Sequence, residues 1–196
     1  MLKRTTLVLG VLCALGAMGV ASATASGKNV HLVGGGTNLA IAPAVVGVLS
    51  SHHIAVAPIA PATARAGKAN KKAVVASFPI VGGQVNPKTL VGYIRHSGGL
   101  MFSKGAKSVR VGLFTIIIAK HPRLTAAVNL NPATRVPLLN LDVSHIKVVK
   151  KGNLVAVLGV RVSLTKVAAS ALNAGLGTKL FTPGLKLGVA NVFAKA

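Results

Sequence analysis

The sequence predicts a mainly β domain, an antiparallel β-sandwich with two short helices. Three observations predict it. From residue 90 onward, apolar β-type runs alternate with compact turns rich in Gly, Lys and Asn. Pro122, Pro132 and Pro137 fall where strands end or turn, because proline cannot donate to a ladder. Only two segments, residues 43–49 and 166–172, carry the spacing of a short helix. Apolar residues make up 52% of the 196 positions and charged residues 12%, enough to bury one core, and nothing divides that core in two.

Residues 1–23 read as a secretory signal peptide. Lys3 and Arg4 form its charged head, residues 6–20 its apolar centre, and Ala21-Ser22-Ala23 a small-x-small cleavage site, with a second acceptable site at Ala23-Thr24-Ala25. The apolar stretch is shorter than the roughly 20 residues of a membrane span. Cys13 sits in its middle, so the mature chain is free of cysteine. Disulfides, thiolate chemistry and Cys-containing zinc sites are thereby excluded. The expected localisation is outside the cytoplasm, secreted or held at the cell surface. Residues 24–36, ending in Gly34-Gly35-Gly36, read as a flexible lead-in, and residues 37–196 as the single domain.

Within that domain Leu39 and Ile41 alternate with small or polar neighbours as in a strand. Pro43 then stands where a helix takes its first residue. Residues 52–61 return to an extended pattern, residues 62–73 form a loop containing Lys68, Lys71 and Lys72, and residues 74–80 form another strand. Two hairpins are expected with lysine-bearing turns. Lys104 and Lys107 separate residues 100–102 from 109–118, and Lys150 and Lys151 separate residues 143–149 from 154–162. In residues 109–118 the apolar phase switches from Val109, Val111 and Leu113 to Phe114, Ile116 and Ile118, which calls for a bulge near Gly112 or a strand buried on both faces. The spacing from Leu39 to Leu49 recurs from Val162 to Leu172. Two like strand-helix units are therefore expected, the second with Thr165 as N-cap and Gly175 as stop.

Charge is the most unusual feature. The chain has 23 Lys and Arg against one acid, Asp142, and loss of Lys3 and Arg4 with the leader leaves a net +20. Such a charge seeks anionic partners, and the lysines at 68, 71, 72, 104, 107, 150 and 151 are the candidate contacts for anionic cell-envelope polymers. One carboxylate cannot serve paired-acid catalysis or a calcium site. Asp142 and His145, three apart on a strand, point to opposite faces, and no Gly-x-Ser-x-Gly elbow accompanies them. Glycine-rich nucleotide fingerprints are absent, and the histidines have no metal-ligand spacing, so neither a metal site nor an enzyme is expected. A single tyrosine and no tryptophan argue against specific nucleic-acid recognition.

One segment has a more particular pattern: Gly92-Tyr93-Ile94-Arg95-His96-Ser97-Gly98-Gly99-Leu100-Met101-Phe102, followed by Val109-Arg110-Val111-Gly112-Leu113-Phe114. It resembles the Htaa-type domain of secreted bacterial haem-transport proteins, in which a strand leads into a His-x-Gly-Gly turn and then an apolar strand. The likeness covers about half of the mature chain. It implies a β-sandwich with short helices and a haem site with a tyrosine ligand assisted by the motif histidine. His96 matches that histidine. The tyrosine of such domains belongs to the first helix, where this sequence has Val45 to Leu49 and no tyrosine. Tyr93, the other haem-binding candidate, lies three residues before His96 and on a strand faces away from it. Two readings result. The first is a basic, non-enzymatic binding or structural module of the cell envelope without a cofactor; the second is a haem-binding or haem-transport domain.

Overall fold

The computed structural model describes residues 29–67, 73–86, 88–89 and 91–196. The leader, residues 24–28, and Lys68, Lys71 and Lys72 lie outside the described residues. In chain order the strands are β1 (Val30–Leu32), β2 (Gly34–Ile41), β3 (Ala55–Ile59), β4 (Thr63–Ala66), β5 (Val74–Val85), β6 (Gly92–His96), β7 (Gly99–Lys104), β8 (Lys107–Ile118), β9 (Arg123–Val128), β10 (Arg135–Asp142), β11 (Lys147–Lys151), β12 (Leu154–Leu164) and β13 (Lys186–Lys195). Helix α1 (Pro43–Ser51) follows β2, and α2 (Lys166–Leu176) follows β12.

The fold is mainly β and antiparallel, as expected, but it is a closed barrel rather than a sandwich. Eight strands run β5-β2-β13-β12-β10-β9-β8-β6, and β6 pairs back onto β5. A sandwich and a barrel both put every second side chain inside, so their alternation is the same. Closure depends on β6 lying between β5 and β8, a long-range pairing that leaves no local mark. The remaining strands extend this wall: β1 and β4 lie on β5, β7 on β8, β3 on β7, and β11 on β12.

Strand structure is already present at Val30–Leu32, ahead of Thr37. Gly34, Gly35 and Gly36, expected in a flexible lead-in, open β2 and pair with β13. A Cβ at Gly35 would overlap the Phe193 carbonyl, so glycine serves close strand approach here. The phase switch in β8 is a bulge: the register with β9 shifts between Gly112 and Thr115, and Leu113 adopts φ 51°.

The Ser97-Gly98 turn does not close a hairpin. β6 and β7 lie end to end along the same side of β8, with Arg95 opposite Thr115 and Gly99 opposite Gly112. His96 is the last residue of β6, at the break between them. Gly98 has φ 78°, and a Cβ there would meet the Ala62 backbone. The hairpins β7-β8 and β11-β12 are as expected, although residues 143–146 divide the wall into β10 and β11.

Both strand-helix units form. Thr165 caps α2, its Oγ1 accepting from Ala168 N–H at 3.1 Å and donating to the Pro137 carbonyl at 2.6 Å. The helix stops at Gly177, in the left-handed region, and not at Gly175, which lies inside it. Pro43 opens α1 and its N-cap, Ala42, offers no side-chain bond. One core cluster joins the helices to the barrel through Leu49, Phe114, Leu164, Leu172 and Leu176. A second, smaller one groups Leu32, Ile80, Ile94, Ile116, Val192 and Ala194.

Candidate functional site

The barrel encloses an apolar cavity of about 420 Å³, and both core clusters contribute to its wall. Its buried lining is aliphatic and aromatic except for two polar side chains, Thr37 of β2 and His96 of β6. Their strands flank β5, and the pair meets as Thr37 Oγ1 to His96 Nε2 at 2.7 Å. The direction of that bond follows the imidazole tautomer. Nδ1 makes no hydrogen bond; the Phe114 backbone is the polar group beside the ring, outside bonding geometry, and close enough to favour the protonated form slightly. Phe114 in turn packs edge-on against Phe78, with ring centroids 5.0 Å apart.

Burial dominates the electrostatics. His96 is 4% exposed, and the loss of solvent lowers its pKa from 6.5 to about 4, with the Phe114 backbone acting weakly in the opposite direction. The ring is therefore neutral at physiological pH, with one nitrogen held and the other without a partner. A buried polar atom without a partner is uncommon and calls for an explanation.

Tyr93 is not brought to this site. Burial alternates along β6, so Ile94 and His96 face inward while Tyr93 and Arg95 face out, and the Arg95 guanidinium sits 5.8 Å from the centre of the Tyr93 ring. Tyr93 is 39% exposed. The first helix contributes Val45 and Leu49 to the cavity wall, so aliphatic side chains stand where the resemblance implies a tyrosine.

The four described candidate lysines lie on two separate hairpins. Lys104 and Lys107 close the β7-β8 hairpin near the C-terminal end of α2, where Lys104 neighbours Asn173 and Gly177. Lys150 and Lys151 lie on β11, which is exposed throughout. Of the four, only Lys150 lines the cavity. That placement was missed in the sequence because the break at residues 143–146, which frees β11, carries no strong turn signal.

Asp142, Ser144 and His145 form an exposed turn. Ser144 donates its N–H to Asp142 Oδ1 at 2.9 Å and its hydroxyl to the same oxygen at 2.6 Å, while Oγ lies 2.7 Å from His145 Nδ1. These bonds hold the Asp142 carboxyl below its usual pKa, with a smaller contribution from Arg161. Serine sits between the acid and the histidine, whereas a catalytic triad needs histidine between the acid and the serine. Among the described residues no group of three or more His, Cys, Asp or Glu could hold a metal ion, and no helix is long and apolar enough to cross a membrane.

Fold and site together define a closed antiparallel barrel around an apolar chamber with a single buried imidazole. Solved structures share this fold. The C-terminal domain of HtaA from Corynebacterium glutamicum superposes with a TM-score of 0.62 at 15% identity, covering 84% of this chain and 98% of that one. The haem-binding protein HtaB of the same organism gives 0.53 at 11% identity over 85% and 95%. A domain-swapped dimer of the H434A variant of the HtaA domain gives 0.54 at 15% identity over 96% and 99%. The Htaa-type resemblance therefore holds for the fold of most of the chain. No family model and no curated protein sequence matches it.

Proposed function

We propose that this protein is an exported, non-enzymatic binding module that takes haem into its barrel, with His96 as the polar group that meets the ligand. The observation that carries this reading is the buried, neutral His96, whose Nδ1 has no partner and whose ring lines an apolar chamber. Haem needs apolar walls for its ring and an axial donor, and imidazole is a common one. When Nε2–H donates to Thr37 Oγ1, the lone pair lies on Nδ1, the arrangement in which an outer hydrogen bond orients a ligating histidine. The residues present fit that role, with imidazole in place of tyrosinate. The fold shared with the haem-binding protein HtaB supports the same reading.

Haemin titrated into the purified protein is expected to give a shifted Soret band that weakens in His96→Ala and persists in Tyr93→Phe. An unshifted band in the unsubstituted protein would remove the haem reading.

A second reading is favoured by β11, whose Lys147, Lys150 and Lys151 are all exposed: retention on anionic envelope polymers by charge. Such adhesion would be released by salt, since about 1 M shortens screening to about 3 Å. Elution from an acidic polymer column that does not change with salt would exclude it.

A further inference from the structure

The cavity changes character at one end. Its buried lining is apolar but for Thr37 and His96, and its exposed lining includes Val30, Val143, Val148, Lys150, Asn153 and Ala196. The three valines are 37%, 39% and 40% exposed, more than core-forming side chains would be. Val143 and Val148 lie where β10 stops at Asp142 and β11 continues along β12 with no described strand on its other edge, and Val30 reaches the same cavity from β1, beside the end of β5. Side chains alternate along a strand, so Val148 and Lys150 share the face toward the cavity while Lys147, Val149 and Lys151 take the other. The entrance is thus an apolar rim with an ammonium group set into it. Apolar side chains around a cavity mouth extend its apolar wall to whatever enters it. The chain's one acidic side chain, Asp142, is bound by Ser144 and lies 4.0 Å from Arg161, so Lys150 has no side-chain carboxylate within the chain to pair with.

We propose that this rim recognises the carboxylate of an amphiphile whose apolar body fills the barrel. The inference rests on the barrel interior being the binding chamber and names the polar end of the ligand. The volume is that of a small-molecule site, within the usual range of about 300–1,000 Å³. Apolar burial inside the barrel supplies the affinity, and the Lys150 ammonium fixes which end remains at the mouth. Haem and long-chain fatty acids share this chemistry, since each joins an apolar body to carboxylates.

The test is displacement of a dansyl-labelled undecanoic acid from the purified protein by palmitate, methyl palmitate and haemin. Palmitate is expected to compete about fivefold better than its methyl ester, the size of one exposed ion pair, and Lys150→Ala to abolish that preference. Lys150→Glu should weaken palmitate further. Lys104→Glu makes the same change in net charge at the β7-β8 hairpin, outside the cavity lining, and should have no effect. Competition by haemin alone or by palmitate alone identifies the source of the carboxylate, and either is consistent with the proposal if Lys150 matters. Equal competition by acid and ester, or equal losses in Lys150→Glu and Lys104→Glu, would overturn the rim while leaving the chamber intact. Failure of the probe and of every competitor to bind would instead overturn the chamber, and the rim with it.

Discussion

The units β2-α1 and β12-α2 flank the same strand, β13, and reach it at the same level, with Ile41 and Val162 both opposite Gly188. They share their apolar spacing but are anchored differently. α2 carries a side-chain cap, buries Ala168, Ala169, Leu172 and Leu176, and ends on a left-handed glycine. α1 has no side-chain cap and buries only Leu49. Both strands are held in the barrel by ladders on each edge, and the first unit adds a buried side-chain pair that the second lacks, the bond between Thr37 on β2 and His96. Spacing specifies that a strand turns into a helix; the wall it meets decides how deeply that helix is buried.

The largest effect that would test this asymmetry is in the second unit. Leu176, 1% exposed, should cost about 2–5 kcal/mol when changed to Ala, because a cavity remains under α2. Val48 on α1, 46% exposed, should cost less than about 0.5 kcal/mol when changed to Ala. Urea unfolding of the two variants measures both, and similar losses would erase the distinction.

The polar contact should make the first unit the more acid-sensitive of the two. His96 has a folded pKa of about 4 against 6.5 for a free histidine, so protons bind the unfolded chain more readily. Its contribution is fully present above about pH 6.5 and is lost as pH falls toward 4, about 3 kcal/mol in all. Unfolding midpoints across that window should fall in the native protein and flatten in His96→Leu. Amide exchange should rise in β2-α1 before β12-α2; the opposite order would place the acid sensitivity elsewhere.

A smaller effect concerns the cap that only the second helix has. Thr165→Ala removes the acceptor for Ala168 N–H and the donor to the Pro137 carbonyl, and should cost about 1–2 kcal/mol in thermal unfolding. Thr165→Ser, which keeps the hydroxyl, should recover most of it.

How much of this was legible follows the range of the interactions. The strands, the bulge near Gly112, the Thr165 cap and the outward Tyr93 each depend on neighbours a few residues away, and the sequence displays them. The turn at Gly98 was legible too, because it needs a positive φ beside a strand end, but the expected hairpin was not formed: β6 and β7 follow one another along β8, a long-range pairing. Barrel closure was not legible, since β6 pairs with two strands whose alternation suits a sandwich equally well. The cavity and its rim were hidden for a related reason. Lys150 appears in the sequence as one of several turn lysines, and only the projection of β11 past the end of β10 turns its face toward the chamber. The Thr37-His96 bond joins residues 59 positions apart, and no local pattern links them.

The smallest expected effect separates the two helices at their glycines. Gly47 lies within α1, exposed, and a Cβ built there meets nothing within 4 Å. Gly47→Ala should therefore stabilise the protein by about 0.5–1 kcal/mol, because alanine gives up less backbone freedom on entering a helix. Gly175 lies within α2, where a Cβ would press on Val109, a buried, short and branched side chain of β8. The same propensity gain at Gly175→Ala is opposed by overpacking, which typically costs about 1–3 kcal/mol, so the net change should be destabilising. Opposite signs at the two positions in thermal unfolding would show that α1 lies loosely on the barrel while α2 is wedged into it. Stabilisation at both would mean that α2 can lift from β8, and that its hold on the barrel is weaker than its buried leucines imply.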